Sequence, residues 1–179
     1  AIGLAACMFP DDDVIHLSLN TFPDAAECRP RSIGDTLRAA RLAGFPYNNL
    51  IFELTARERA ADAAELRRTF GRYAGLGLGA TPKDFGESAP GLGFVAELTP
   101  NMVKIDRDLV RGIHLSPAGQ AILGNIVGSA RRLGIAVAAE GVETREELSY
   151  LLGCGIDYFQ GYLFAHPGFE CLPRVEFET

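Results

Sequence analysis

Six short apolar runs recur along the chain, separated by longer stretches of helical pattern: IHLSLN (15–20), NLIFELT (49–55), LGLGAT (76–81), MVKID (102–106), IAVAAEG (135–141) and YFQGYLF (158–164). Their shortness and their β-branched and aromatic content predict strands buried on both faces. Between them, SIGDTLRAARLAG (32–44) offers Ser32 as an N-cap, stops at Gly44 and sets Ile33, Leu37 and Ala40 on one face. Residues 56–75 align Leu66, Phe70 and Tyr73 in a stripe, 116–134 opens on Ser-Pro, and 144–155 opens as a Thr-x-x-Glu capping box and closes on Gly153 or Gly155.

Strands alternating with helices through short connections predict parallel pairing by right-handed crossovers, hence an α/β fold. No G-x-G-x-x-G or P-loop follows the first strand, which removes the signature of a nucleotide-binding doubly wound sheet and favours a TIM-like β/α barrel. A complete barrel takes ~250 residues. With 179 residues and six strands, the expectation is a single domain, 1–179, in which part of the barrel is missing.

Polar residues gather at the C-terminal ends of these strands: Asn20, Glu53, Asp84, Lys104, Asp106, Glu140 and Gln160. In a β/α barrel those ends face one mouth, where active sites are built. A strand-end Asn or Asp also suits a helix cap, and Lys104 could be the ion-pair partner of Glu53 or Glu140, whose carboxylates would be costly in apolar segments if left alone. Neither alternative covers the whole set. Carboxylates with one amide oxygen, and no His/Cys cluster, suit Mg²⁺ or Mn²⁺ rather than zinc, and such ions serve metal-assisted phosphodiester hydrolysis.

Composition narrows the partners. Net charge is −6 without a Lys/Arg cluster, so a nucleic-acid footprint is not expected. Cys7, Cys28, Cys154 and Cys171 share no ligand spacing, which predicts reduced thiols and a cytoplasmic, soluble domain with no membrane segment. His16, His114 and His166 sit in separate motifs and are not expected to be catalytic.

In their order and separation, HLSLN, FELT, KDFG, VKIDRDLVRGI, AAEGVET and FQGYLF resemble the EAL family of cyclic-di-GMP phosphodiesterases from about Ile15 to Pro167. The resemblance implies a β/α barrel that uses Mg²⁺ or Mn²⁺ to open cyclic di-GMP to linear pGpG. It implies Asn20, Glu53 and Asp84 as metal ligands and Asp106 as an acid near a second metal. Lys104, Glu140 and Gln160 would hold or activate water, and Glu143 would anchor the loop after the family's Asp-Asp-Phe-Gly turn, near a dimer contact.

Two departures from the family stand out. AIGLAACMFPDDD reads like the helix before HLSLN, and nothing in the chain resembles the Glu-Ala-Leu triplet. Aligned on Asp-Phe-Gly, Lys83 takes the place of the first aspartate; aligned on LGLGAT, Thr81 falls there instead, and one carboxylate is lost either way. Exchanging an anion for an ammonium ~4 Å from a cation costs about 4 kcal/mol per unit charge at an effective dielectric near 20. In the following ESAPGL, Pro90 is expected to open or restrain a helix. The expectation is a family member with impaired or lost hydrolysis and a regulatory or sensing role, binding cyclic di-GMP and a homodimeric or sensory partner. The alternatives are an active Mg²⁺- or Mn²⁺-dependent phosphodiesterase and a protein-interaction module without nucleotide.

Overall fold

The structure, a computed structural model, describes residues 1–9, 15–21, 33–55, 60–83, 92–98 and 100–175. Ser32, Cys28, Asp84, Pro90 and residues 56–59 lie outside the described residues. The expected alternation of strand and helix is found. The strands are β1 (Leu17–Thr21), β2 (Leu50–Thr55), β3 (Gly79–Lys83), β4 (Met102–Ile105), β5 (Ala136–Glu140) and β6 (Tyr158–Gln160). The helices are α1 (Ile2–Met8), α2 (Ile33–Ala43), α3 (Ala60–Gly75), α4 (Leu92–Leu98), α5 (Arg107–Val110), α6 (Pro117–Leu133) and α7 (Arg145–Gly153). YFQGYLF is strand only as far as Gln160, because Gly161 turns the chain.

All strand pairs are parallel, in two sheets ordered β1-β2-β3 and β4-β5-β6, and β3 lies beside β4. The six strands thus follow one another in chain order around an arc of a TIM-like barrel. Alternation along each strand sorts the side chains. Phe52 and Leu54 pack toward the helices with Phe70, Tyr73 and Ala40, while Val103, Ile105, Val137 and Ala139 pack with Leu123, Ile126, Val127 and Leu151. The residues between them, Glu53, Lys104 and Ala138, take the opposite face, which is the barrel interior.

Helix ends follow the sequence signals. Ser116 accepts from the Gly119 amide beside Pro117, and α6 stops at Gly134 with φ 70°. Thr144 and Glu147 form the reciprocal capping box of α7. Gly161, directly after Gln160, lies so close to the Val142 backbone that a Cβ there would overlap it. The Val142 amide donates to the Gln160 carbonyl and the Leu163 amide to the Val142 carbonyl. Gly161→Ala is therefore expected to lose about 1–3 kcal/mol or more by overpacking against backbone that has no side-chain freedom to yield. Urea unfolding measures it, and a midpoint equal to that of the parent would refute the close approach.

Candidate functional site at the strand ends

The parallel registers bring the polar residues to one level. Asn20 is paired with Glu53, Glu53 with Thr81, and Glu140 with Gln160. Lys104 crosses from one sheet to the other. Its ammonium donates to Glu53 Oε1 at 2.7 Å and to Gln160 Oε1 at 3.1 Å, and it forms a close ion pair with Glu140. The sequence left open whether Lys104 answers one of the two glutamates; it answers both. Ser18, one pleat before Asn20, donates to Glu53 Oε1 at 2.5 Å.

Lys104 and Glu53 are 7% and 4% exposed, so the pair is charged in a place where charge is costly. Burial pushes the Glu53 carboxyl up, but the bonds from Lys104 and Ser18 and the charges of Lys104 and Lys83 outweigh it and hold its pKa below the usual value. Burial likewise pulls Lys104 down, and the bonds and charges of Glu140 and Glu53 more than reverse it, so its pKa is raised. Both residues remain ionised at neutral pH because each supplies the other's counter-charge.

Lys83 ends β3 one pleat beyond the buried Thr81, which is the residue level with Glu53. Its ammonium donates to Asn20 Oδ1 at 2.8 Å, reaching over β2 to a strand that is not its neighbour. Neither position considered for the lost carboxylate carries one. Asp84, expected beside it as a metal ligand, lies outside the described residues.

Mg²⁺ would bond the Asn20 oxygen at about 2.1 Å, and an ammonium already on that oxygen would face the ion at close range with like charge. Glu53 and Glu140 are engaged by Lys104, and among the described residues no three His, Cys, Asp or Glu side chains converge. With the Lys83 ammonium on it, the Asn20 oxygen as arranged does not fit a divalent ion.

The remaining expected residues stand at the margin of the mouth. Asp106 caps α5, its Oδ1 accepting from the Asp108 amide at 2.9 Å. Glu143 faces Arg111 at 3.7 Å, both largely exposed, and the loop it was expected to anchor lies outside the described residues. The partners of the Lys104 ammonium are Glu53, Gln160 and Glu140, and none of the three histidines is among them. The free cysteines among the described residues are Cys7, Cys154 and Cys171.

Two contributors were missed in the sequence. Ser18 carries a period-2 signal, lying two residues before Asn20. Glu147 reads locally as half of a capping box, yet its carboxylate also accepts from the Gly112 amide at 2.8 Å, besides the Glu143 and Thr144 amides at 2.9 and 3.1 Å. It thereby ties the loop after Glu140 to the turn after α5. Burial raises its pKa, but these backbone bonds outweigh the effect and lower it. A depressed carboxyl contributes stability above its unfolded pKa and loses it as pH falls through the folded value. Glu147→Ala is expected to cost about 1–3 kcal/mol at pH 7 by stranding those amides. The difference from the parent should begin to shrink below about pH 4, the unfolded carboxylate value, and vanish as pH falls through the lower folded one. Urea midpoints across pH check both statements.

The parallel strands and the charged groups at their C-terminal ends are those of a β/α barrel enzyme-type fold, and the chain belongs to the EAL domain family, matching it over residues 5–167. The cyclic di-GMP phosphodiesterase RocR of Pseudomonas aeruginosa is 30% identical over 155 residues, covering 86% of this chain and 39% of RocR. Among solved structures, a standalone EAL protein from Vibrio cholerae O395 in its c-di-GMP-bound form matches 98% of this chain and 73% of that one. The identity is 39% and the TM-score 0.84. BlrP1 of Klebsiella pneumoniae, in a manganese/cy-diGMP complex, is 32% identical with a TM-score of 0.80, over 93% of this chain and 42% of that one. The chain spans about two fifths of the length of RocR. No helix among the described residues is long and apolar enough to cross a membrane.

Proposed function

We propose that this chain is an EAL domain with impaired or lost phosphodiesterase activity, serving cyclic-di-GMP signalling as a cytoplasmic regulatory or sensing module. The observation that carries the proposal is the Lys83 ammonium on Asn20 Oδ1, where the family resemblance puts a metal ligand. In this reading Asn20, Glu53, Asp84 and Asp106 occupy the metal-binding positions. Lys104, Glu140 and Gln160 preserve the water-positioning set, and Glu143 the loop anchor. With Lys83 at the mouth, cation attraction is exchanged for repulsion while the nucleotide-facing barrel is retained. Signal output then runs through a homodimeric or sensory partner rather than through product.

A second reading, an active Mn²⁺- or Mg²⁺-dependent phosphodiesterase, is favoured by the intact Lys104–Glu140–Gln160 cluster and by the likeness to RocR. Incubating the purified chain with cyclic di-GMP and excess Mn²⁺, followed by chromatography of the products, separates the two. The expected result is no linear dinucleotide. Metal-dependent turnover that disappears in Glu140→Ala would establish the enzyme instead.

A further inference from the structure

We infer that Lys83 is a tethered cation that receives the phosphodiester of a cyclic dinucleotide in place of a divalent ion, so that binding at this mouth is metal-independent. The inference rests on the proposed loss of hydrolysis and adds the means of anion recognition.

Donor capacity distinguishes the two lysines of the mouth. Lys104 has three N–H groups and three acceptors, Glu53 Oε1, Glu140 Oε1 and Gln160 Oε1, which leaves it nothing to offer a ligand. Lys83 donates to Asn20 alone among the described residues, and it is only half-buried. Among the described residues, nothing else takes up the other two of its three N–H groups at the rim of the barrel.

Charge points the same way. Glu53 and Glu140 against Lys83 and Lys104 sum to zero, so these four groups present no net negative charge to an arriving phosphate. The bond to Asn20 restrains the flexible lysine stem, lowering the entropy lost when the ammonium meets an anion. Charge-assisted N–H···O bonds to phosphate oxygens are stronger than neutral ones, and Lys83 is placed to make them.

Isothermal titration of the purified chain with cyclic di-GMP, in EDTA and in excess Mn²⁺, tests the inference. The affinity is expected to agree within about twofold between the two buffers and to weaken with added salt. Lys83→Met should lose about tenfold or more in EDTA, the loss of a hydrogen bond to a charged group, and Lys83→Arg should retain most of the binding. A thermal melt of each variant verifies folding. Binding that requires Mn²⁺, no binding in either buffer, or parent-like affinity of folded Lys83→Met in EDTA would each overturn the inference. Product analysis of the same samples reports separately on hydrolysis: turnover refutes the proposed function, whereas altered binding without turnover bears on Lys83 alone.

Discussion

Lys83→Asp is expected to bind Mn²⁺ at least about a hundredfold more tightly than the parent chain. In the parent, the Lys83 ammonium holds Asn20 Oδ1 at 2.8 Å and lies close enough to Glu53 to lower its pKa. The substitution removes a positive charge and supplies a carboxylate beside the Asn20 amide oxygen and the Glu53 carboxylate, an all-oxygen set that suits a hard dication. At ~4 Å and an effective dielectric near 20, each unit of charge is worth about 4 kcal/mol, so a hundredfold gain, about 2.7 kcal/mol, allows for much of the effect being lost to solvent. Loss of the free-Mn²⁺ EPR signal on titration measures it. Thermal melts provide a second readout: the variant should melt lower than the parent in EDTA, where its carboxylates repel, and recover with Mn²⁺. Equal Mn²⁺ affinity in the two proteins would remove Lys83 as the obstacle to metal binding.

Lys104→Met is expected to cost about 3–5 kcal/mol of folding stability at pH 7, because removing one partner strands the others as buried uncompensated charge. Glu53 is 4% exposed and Glu140 shares the same ammonium, so two carboxylates are affected. For a domain whose total stability is about 5–15 kcal/mol, that is a large fraction. The pH dependence identifies the cause. Glu53 has a lowered pKa in the folded state, so its contribution is present above the unfolded carboxylate value and lost as pH falls through the folded one. Lys104 has a raised pKa, so its contribution is present below the unfolded lysine value and lost as pH rises through the folded one. The window therefore runs from roughly pH 4 to somewhat above 10. Urea unfolding of parent and variant across that range should show the stability gap narrow below about pH 4. A gap unchanged at acid pH would mean that Lys104 contributes packing, not charge.

The mouth depends on residues of quite different legibility. Asn20, Glu53, Lys104, Glu140 and Gln160 could be read as one constellation because each interrupts an apolar strand at its C-terminal end, and a parallel barrel has one such end. Asp106 carries the same signal, yet its Oδ1 is bonded to the Asp108 amide, the cap geometry that Asn or Asp after a strand equally predicts. Ser18 and Glu147 escaped because serine is unremarkable in a strand and the capping box already accounted for the glutamate locally. Their second partners, Glu53 and the Gly112 amide, are each 35 residues away in the chain.

The sequence by itself determined the order and parallel character of the strands, the helix stops at Gly44 and Gly134 and the capping box at Thr144. These follow from periods of two and 3.6 residues, from backbone preferences and from residue identity, all of which are local. Only the tertiary structure decided which charges meet: Lys104 with both Glu53 and Glu140, and Lys83 with Asn20 across an intervening strand. Side-chain pairing across a curved sheet depends on register and on the reach of a four-carbon stem, and neither is written in the spacing of residues along the chain.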